Sequence, residues 1–231
     1  MQSLIHHRTR PRAPSQPATA AARAAALACV LLLGLSVPAA ARTVNGCRIA
    51  PGTVCSEARL SGADLRGADL SHANLLDTDL AGAKLQGANL REIQLRGANL
   101  DRAVLSRARM SGAELQRATL VRANLSRADL SDASLEDARL HGARLSDAQL
   151  QGARMRGVGL VLAVLDGTDL RRADLTASEL NGASLRNADL RGAILQEADL
   201  RGADLRGARI DQSTDFRGAN LRGCVGCPAP R

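Results

Sequence analysis

Apolar residues return at every fifth position along most of the chain. A large apolar residue occupies every multiple of five from Leu60 to Ile210, and the series continues at Phe216 and Leu221 after one extra residue. Of these 33 central positions, 29 are Leu, and two residues before them 27 of 33 positions are Ala. Such self-similarity is typical of repeat architectures. The extra residue requires a bulge at one turn, and the bulky Phe216 is expected to plug the last repeat.

Neither an α-helix nor a flat strand explains this five-residue word. On a helix, five residues advance about 500°, so the leucines would spread around every face. On a flat strand, successive leucines would point to opposite faces. The conflict disappears if the chain turns a corner once per word. Leu and Ala, two residues apart, then share the inward face of each short strand.

The turn residues that such corners need are present. Gly occupies about half of the positions two residues after the centre, for example Gly62, Gly67 and Gly82. Glycine supplies the positive φ of a type II turn without steric cost. If four such corners close one coil, about 20 residues make a coil, stacked about 4.8 Å from the next. The repeats predict about eight coils and a rod about 40 Å long.

The word Ala-Asp/Asn-Leu-x-x is specific enough to suggest a family. It occurs at 63–65, 68–70, 98–100 and 188–190, among other places. Over residues 58–221 the chain resembles the pentapeptide-repeat proteins. The resemblance implies an all-β fold, a right-handed quadrilateral parallel β-helix, with the Leu and Ala pair filling its interior.

Residues 1–41 are predicted to be a secretory signal peptide. They carry four Arg and no acid, then an apolar run, then the small residues Ala39–Ala41. A retained membrane anchor is the alternative, but the run is short and interrupted by glycine, serine and proline. Ala26–Cys29 loosely resembles a lipoprotein cleavage site, although the apolar run continues beyond it. We therefore expect an exported protein, periplasmic or secreted, without a transmembrane helix in the mature chain.

Export determines how the cysteines are interpreted. Four remain after cleavage: Cys47, Cys55, Cys224 and Cys227. One pair lies in a predicted N-terminal cap, residues 42–57, and the other in a predicted C-terminal cap, residues 222–231. An even number of cysteines in an exported chain indicates disulfides. Three connectivities are possible in principle, and pairing within each cap is favoured because a long array holds its two ends apart.

The sequence CVGC near the C-terminus allows two other interpretations. A thioredoxin-like redox centre needs a helix N-terminus beside the cysteine, whereas only Pro228–Arg231 follow. A zinc site needs four ligands, and no second pair or histidine lies nearby in the sequence. A structural disulfide is the favoured interpretation.

The net charge changes once the signal segment is removed. The chain has 31 Lys and Arg and 23 Asp and Glu, and residues 1–41 contain four of the basic residues. The mature chain therefore carries 27 − 23 = +4. This mild positive charge favours solubility and does not indicate a nucleic-acid-binding protein.

No catalytic constellation is visible in the sequence. His72 and His141 are separated by more than three coils, and carboxylates such as Asp169 and Asp189 occupy the Asp position of the repeat word. No nucleophile with its base, phosphate-binding loop or metal-ligand spacing occurs. We expect no enzymatic activity, cofactor or metal.

Two surface features are candidate contact sites. The first is a basic cluster at outward positions of neighbouring coils: Arg102, Arg107, Arg109, Arg117, Arg122 and Arg127. It indicates an anionic partner, or else solvated side chains balanced by nearby Asp. The second is an apolar corner: Val161, Leu162 and Val164. It indicates a protein contact or a homodimer face, or else a merely apolar corner.

The sequence therefore predicts a non-catalytic structural or interaction module of the cell envelope. Its partner would be an unidentified protein or an anionic envelope component. The family resemblance implies an alternative, a DNA mimic that binds type II topoisomerases in the cytoplasm. That function requires a strongly acidic column, which the signal peptide, the mild positive charge and the arginines do not favour.

Overall fold

The computed structural model describes residues 42–228, so the predicted signal peptide and the last three residues lie outside the described part. The chain begins with a hairpin of two antiparallel strands, β1 (Thr43–Val44) and β2 (Cys47–Arg48), in which Val44 pairs with Cys47. All later pairing consists of isolated parallel bridges, one per five-residue word. Within the described residues, no helix is long and apolar enough to cross a membrane.

The parallel bridges define the coil. Val54 is bridged to Asn74, four words further on, and the same spacing recurs along the ladder. The backbone N–H of each central residue donates a hydrogen bond to a carbonyl of the next coil. For example, the N–H of Leu65 donates to the carbonyl of Lys84 at 2.7 Å. Lys84 in turn donates to the carbonyl of Ala63 at 2.8 Å. The predicted square coil of four words is therefore confirmed, and its backbone polar groups are paired between coils.

The interior is built from the two predicted apolar positions of each word. Every central residue from Leu60 to Leu205 is at most 1% exposed. The preceding small position is equally buried through the middle of the array, for example at Ala73 and Ala203. A large and a small side chain thus alternate along each inward face, which produces one continuous narrow core.

A few polar residues replace Ala at the small inward position. The hydroxyl of Thr168 donates to the carbonyl of Leu165 at 2.6 Å, and that of Thr78 to the carbonyl of Cys55 at 3.1 Å. The hydroxyl of Ser178 is buried without a hydrogen-bond partner in the described residues. Ser178 is therefore expected to make the fold less stable than alanine would at this position.

We predict that Ser178→Ala raises the free energy of unfolding by about 1 kcal/mol, because it removes an unsatisfied buried hydroxyl and installs the residue most common at this position. Urea unfolding measures the change. Thr168→Ala is the control and should destabilise, because it removes a satisfied hydroxyl and a buried methyl group. A loss of stability in Ser178→Ala would show that its hydroxyl is bonded in solution.

The N-terminal end is covered by the hairpin. Cys47 and Ile49 are 2% and 7% exposed and pack onto the first coil. The bridge ladder already begins at Val54, somewhat before the predicted first repeat. Cys55 occupies a multiple of five, so it takes the place that Leu has in later words.

The C-terminal end contains the irregular word. Corner 211–213 holds the extra residue, and the bridge spacing becomes 21 where Ile194 pairs with Asp215. The bulge therefore lies at a corner, as the sequence predicts. The ladder then continues to Val225, a few residues past the predicted last repeat. Phe216 is partly buried against the core.

Candidate interaction surface

Each corner consists of two residues, and in nearly all corners the second adopts positive φ. Glycine does so at Gly62 with φ of 65°, which agrees with the predicted turns. Eighteen residues other than glycine also adopt positive φ in the described chain, including Arg102 at 58° and Leu162 at 57°. This left-handed conformation costs an L-residue roughly 1–2 kcal/mol. A large side chain at such a position therefore needs an explanation.

Side chains at the second corner position reach toward the same corner of the next coil. A Cβ atom added at Gly152 would collide with Oδ1 of Asp132, and one added at Gly182 would lie 2.9 Å from Cδ2 of Leu162. The same relation holds for Asp77 and Gly97, Asp137 and Gly157, Asp147 and Gly167, and Asn187 and Gly207. Glycine thus serves twice: it forms its own turn and makes room for the side chain from the preceding coil.

Four of the six predicted arginines lie in two neighbouring corner columns. Arg102 and Arg122 stack in one column, here called the Arg102 corner, and Arg107 and Arg127 stack in the next, the Arg107 corner. All four have φ between 58° and 60°. In both columns arginine follows arginine; Arg122 then lies over Gly142, whereas Arg127 is followed by Asp147.

The two corners border the same side of the coil, here called the Lys84 face. Its outward strand residues are, in order, Asp64, Lys84, Val104, Asn124, Arg144, Val164, Ser184, Asp204 and Val225. Lys84 and Arg144 extend the positive charge below and above the four arginines. The sequence-based cluster omitted both, although each lies one coil of four words away from Val104 or Asn124 and could have been found by that spacing.

The structure does not gather the other two predicted arginines into this group. Arg109 lies on the adjacent side, at an outward strand position next to the Arg107 corner. Arg117 lies at a different corner, diagonally opposite Arg107 and Arg127. The physical reason is the four-cornered coil: residues ten apart in sequence occupy opposite corners. The six-residue cluster is therefore corrected to four arginines with Arg109 beside them.

These corner arginines have few acidic neighbours. Nε of Arg127 lies 3.5 Å from Oδ2 of Asp147. For Arg102, Arg107 and Arg122, the described part of the chain offers no carboxylate within ion-pair distance. Like charges stacked on neighbouring strands are mildly destabilising. The net positive charge of this surface is therefore left for solvent or a partner.

Elsewhere, arginine and aspartate neutralise each other within one word. The guanidinium of Arg201 donates to both carboxylate oxygens of Asp199, at 2.9 and 2.6 Å, and its backbone N–H also reaches Oδ1. The side-chain hydrogen bond from Arg201 is the main reason that the pKa of Asp199 is lowered to about 2. The same arrangement joins Asp64 to Arg66, Asp169 to Arg171, Asp189 to Arg191, Asp204 to Arg206, and Asp215 to Arg217. These carboxylates hold the turns, as the sequence interpretation expected for Asp169 and Asp189.

The predicted apolar corner is only partly exposed. Leu162 is 68% exposed, while Val161 and Val164 are half-buried. Leu162 belongs to the Arg102 corner, two coils beyond Arg122, and lies over the glycine that follows it. Its role as a protein contact or dimer face stays a prediction.

The two histidines serve separate surfaces. Nδ1 of His72 lies 3.2 Å from Oε2 of Glu92, and both side chains are exposed. The ring of His141 lies over Gly159, where an added Cβ would approach Cε1 to 2.5 Å. Among residues 42–228, no group of three or more His, Cys, Asp or Glu side chains could hold a metal ion.

The cysteines lie in the pairs favoured by the sequence. Cys47 and Cys55 have Cα atoms 5.6 Å apart, and Cys224 and Cys227 have Cα atoms 5.8 Å apart. Both distances suit a disulfide. Each pair would fasten a terminal segment to the adjacent coil.

These observations define the class of protein: it is a parallel β-solenoid built from five-residue words. The sequence pattern described as "Pentapeptide repeats" matches residues 53–92, 88–127, 123–158, 168–207 and 183–223. The chain therefore belongs to the pentapeptide-repeat family, and its fold is the right-handed quadrilateral β-helix of that family. No curated protein matches the chain significantly.

Several solved structures are similar to this chain. HetL, a pentapeptide repeat protein involved in heterocyst differentiation regulation in the cyanobacterium Nostoc, is 34% identical over 74% of this chain and 86% of its own, with a TM-score of 0.34. A pentapeptide repeat protein of the Arabidopsis thaliana thylakoid lumen is 29% identical over 41% of this chain and 66% of its own, with a TM-score of 0.39. QnrB1, a plasmid-mediated fluoroquinolone resistance protein, is 20% identical over 77% of this chain and 89% of its own, with a TM-score of 0.28.

Proposed function

We propose that the protein is an exported, non-catalytic scaffold of the cell envelope that presents fixed columns of side chains to a partner. The observation that carries this proposal is the uninterrupted bridge ladder from Val54 to Val225 around a continuous Leu and Ala core. Each coil is hydrogen-bonded to both neighbours, so outward residues keep a constant spacing of about 4.8 Å along the rod. A surface of this kind suits recognition of an extended partner.

The chemistry of the outward positions supports a scaffold. Most acidic side chains near the C-terminal end are engaged by arginines of the same word, as in the pair Asp189 and Arg191. Such pairs stabilise turns and leave neither group free to act on a substrate. Three hollows in the described surface are open grooves between corner side chains, which offer little protection from water. Another, of about 990 Å³, lies at the C-terminal end around Ile210, Phe216 and Leu221.

Features at both ends of the chain support export. The basic segment, apolar run and Ala39–Ala41 of the sequence have the order of a signal peptide. The two cysteine pairs lie at disulfide distances in the terminal segments, and such bonds persist in oxidising compartments. A rod fastened at both ends would resist fraying outside the cytoplasm.

Cell fractionation tests the proposal. We predict that the protein is found in the periplasm or medium, that its first residue is Arg42, and that peptide mapping without reductant recovers Cys47 joined to Cys55 and Cys224 joined to Cys227. Replacing Ala39 and Ala41 with Arg is the control and should leave an uncleaved chain, because small residues are required there.

A cytosolic protein that still carries the segment 1–41 would contradict export. That result would favour the alternative, a DNA-mimicking topoisomerase-binding protein. The Lys84 face offers little support for it, since its middle coils carry Lys84, Asn124 and Arg144, and its acids, Asp64 and Asp204, are paired with Arg66 and Arg206. A link between Cys47 and Cys227 would contradict separate caps.

A further inference from the structure

The Arg107 corner departs from the packing seen at many other corners. Elsewhere a side chain at the second corner position commonly lies over a glycine, as Asp132 lies over Gly152. At the Arg107 corner the column instead begins with two bare glycines, Gly67 and Gly87, and continues with stacked Arg107 and Arg127. Nothing lies within 4 Å of a Cβ added at Gly67 or Gly87. The arginine side chains therefore border open space on one side.

Fold stability does not account for this stack. Arg107 and Arg127 adopt φ of 59° and 60°, where glycine would be less strained. Their like charges lie about one coil spacing apart, which is unfavourable on neighbouring strands. A locally unfavourable arrangement at a surface supports the hypothesis of a binding site when a ligand can relieve it.

Neighbouring groups complete a set of hydrogen-bond donors. A serine precedes each arginine of the Arg107 corner: Ser106 precedes Arg107, and Ser126 precedes Arg127. Neither serine hydroxyl has a hydrogen-bond partner among the described residues. Together with Arg107, Arg127 and Gln86 they line a shallow groove of about 580 Å³. A groove with two guanidinium groups and two free hydroxyls matches an anion that has several acceptor oxygens.

The surroundings strengthen the positive field. Arg102 and Arg122 stand across the Lys84 face at the same two coils, and Arg109 lies on the other side of the Arg107 corner. Asp147 pairs with Arg127 at 3.5 Å and bounds the groove at its upper end. Arg107, at the lower end, has no carboxylate of the described residues within ion-pair distance.

We propose that the Arg107 corner binds an anion that carries two or more phosphate groups. A guanidinium group can donate two parallel hydrogen bonds to one phosphate, and the neighbouring serine hydroxyl can donate a third. Stacked arginines about 4.8 Å apart would then hold successive phosphates along the rod axis. Phosphates of this kind occur in linear polyphosphates and in adjacent anionic lipid headgroups.

The experiment uses the full chain, purified in neutral detergent, and inorganic tripolyphosphate as the probe. Calorimetric titration at low salt should show binding that is at least about tenfold tighter than that of orthophosphate and that weakens from about 50 mM to about 200 mM salt. Arg107→Gly with Arg127→Gly should weaken binding about tenfold or more. Glycine suits the positive φ at both positions, so this double variant should remain folded.

A matched control removes the same charge from the same kind of corner elsewhere. Arg117→Gly with Arg172→Gly also deletes two arginines with φ of 58°, and it should bind tripolyphosphate as the unchanged protein does. Arg102→Gly with Arg122→Gly should have an intermediate effect, because these residues supply the field across the face. Equal weakening by all three double variants, or no binding by the unchanged protein in either assay, would overturn the site.

A vesicle assay separates the two sources of phosphate. Retention on phosphatidylglycerol vesicles relative to phosphatidylcholine vesicles, lost in the Arg107 and Arg127 variant, assigns the site to lipid headgroups. Tripolyphosphate binding without this difference assigns it to a soluble polyphosphate. The apolar run of residues 24–38 is present in every variant, so comparisons between variants remain valid. Neither assay depends on export, and failure of one proposal therefore leaves the other intact.

Discussion

Leu125→Ala is expected to lower the free energy of unfolding by about 2–5 kcal/mol. Leu125 is 0% exposed and belongs to a middle coil, with leucines of the preceding and following coils above and below it. Those neighbours are fixed by bridges on both sides, so the site has little freedom to collapse around the missing atoms. The loss combines the transfer free energy of the side chain with the cost of a persistent cavity. Urea unfolding monitored by far-ultraviolet circular dichroism measures it.

Leu162→Ala provides the matched control. The same atoms are removed, but Leu162 is 68% exposed at a corner and no internal cavity can form. We expect a change within about 0.5 kcal/mol. If Leu125→Ala were tolerated equally well, the inward register of the central positions would be wrong.

The inward register could be predicted from one physical conflict, whereas the handedness and square shape of the coil were implied by the family resemblance. A five-residue spacing of Leu is incompatible with a helix or a flat strand, and a corner in every word removes the incompatibility. The burial of Leu75 together with Ala73 and their equivalents follows directly from that step. Regular words also make local and global requirements agree, since each coil repeats the packing of the last.

The candidate surface was harder to predict because it depends on which residues share a column. The sequence indicated that Arg102 and Arg107 stack beneath the arginines one coil later, and the structure places them so. Arg117 was assigned to the cluster because it is near Arg107 in sequence. Which residues are neighbours depends instead on the order of the four corners around the coil. Lys84 was missed because no other basic residue lies in its word. Its relation to the arginines becomes visible only when the two arginine corners are placed on either side of its face.

The packing of corner glycines illustrates a second limit. Sequence alone explains Gly182 by its turn conformation, but its other role depends on Leu162 in the preceding coil. Likewise, the glycine at position 159 looks like a defect in the word until His141 is seen to lie over it. Such relations can be read from the sequence once the coil length is known, because each links residues about one coil apart.

Ala123→Leu is expected to destabilise the protein by about 1–3 kcal/mol, or more if the coil must open. Ala123 is 0% exposed, and its small side chain fills the narrow inward position beside Leu125. The N–H of Ala123 is bonded to the carbonyl of Leu120 at 3.0 Å, and its own carbonyl accepts from Arg144 at 2.9 Å. The backbone is therefore held from both sides and has little room to retreat from a larger side chain.

Ala177→Leu is the control for this enlargement. Ala177 is an exposed corner residue with φ of 55°, and Arg117 in the same corner column shows that a long side chain can lie below a residue other than glycine. The control should stay within about 0.5 kcal/mol of the unchanged protein. If Ala123→Leu matched it, the small inward position would have spare volume. The pairing of one large with one small residue would then not be what sets the width of the coil. A clear difference would show that the inward position of Ala123 has no volume for a larger side chain.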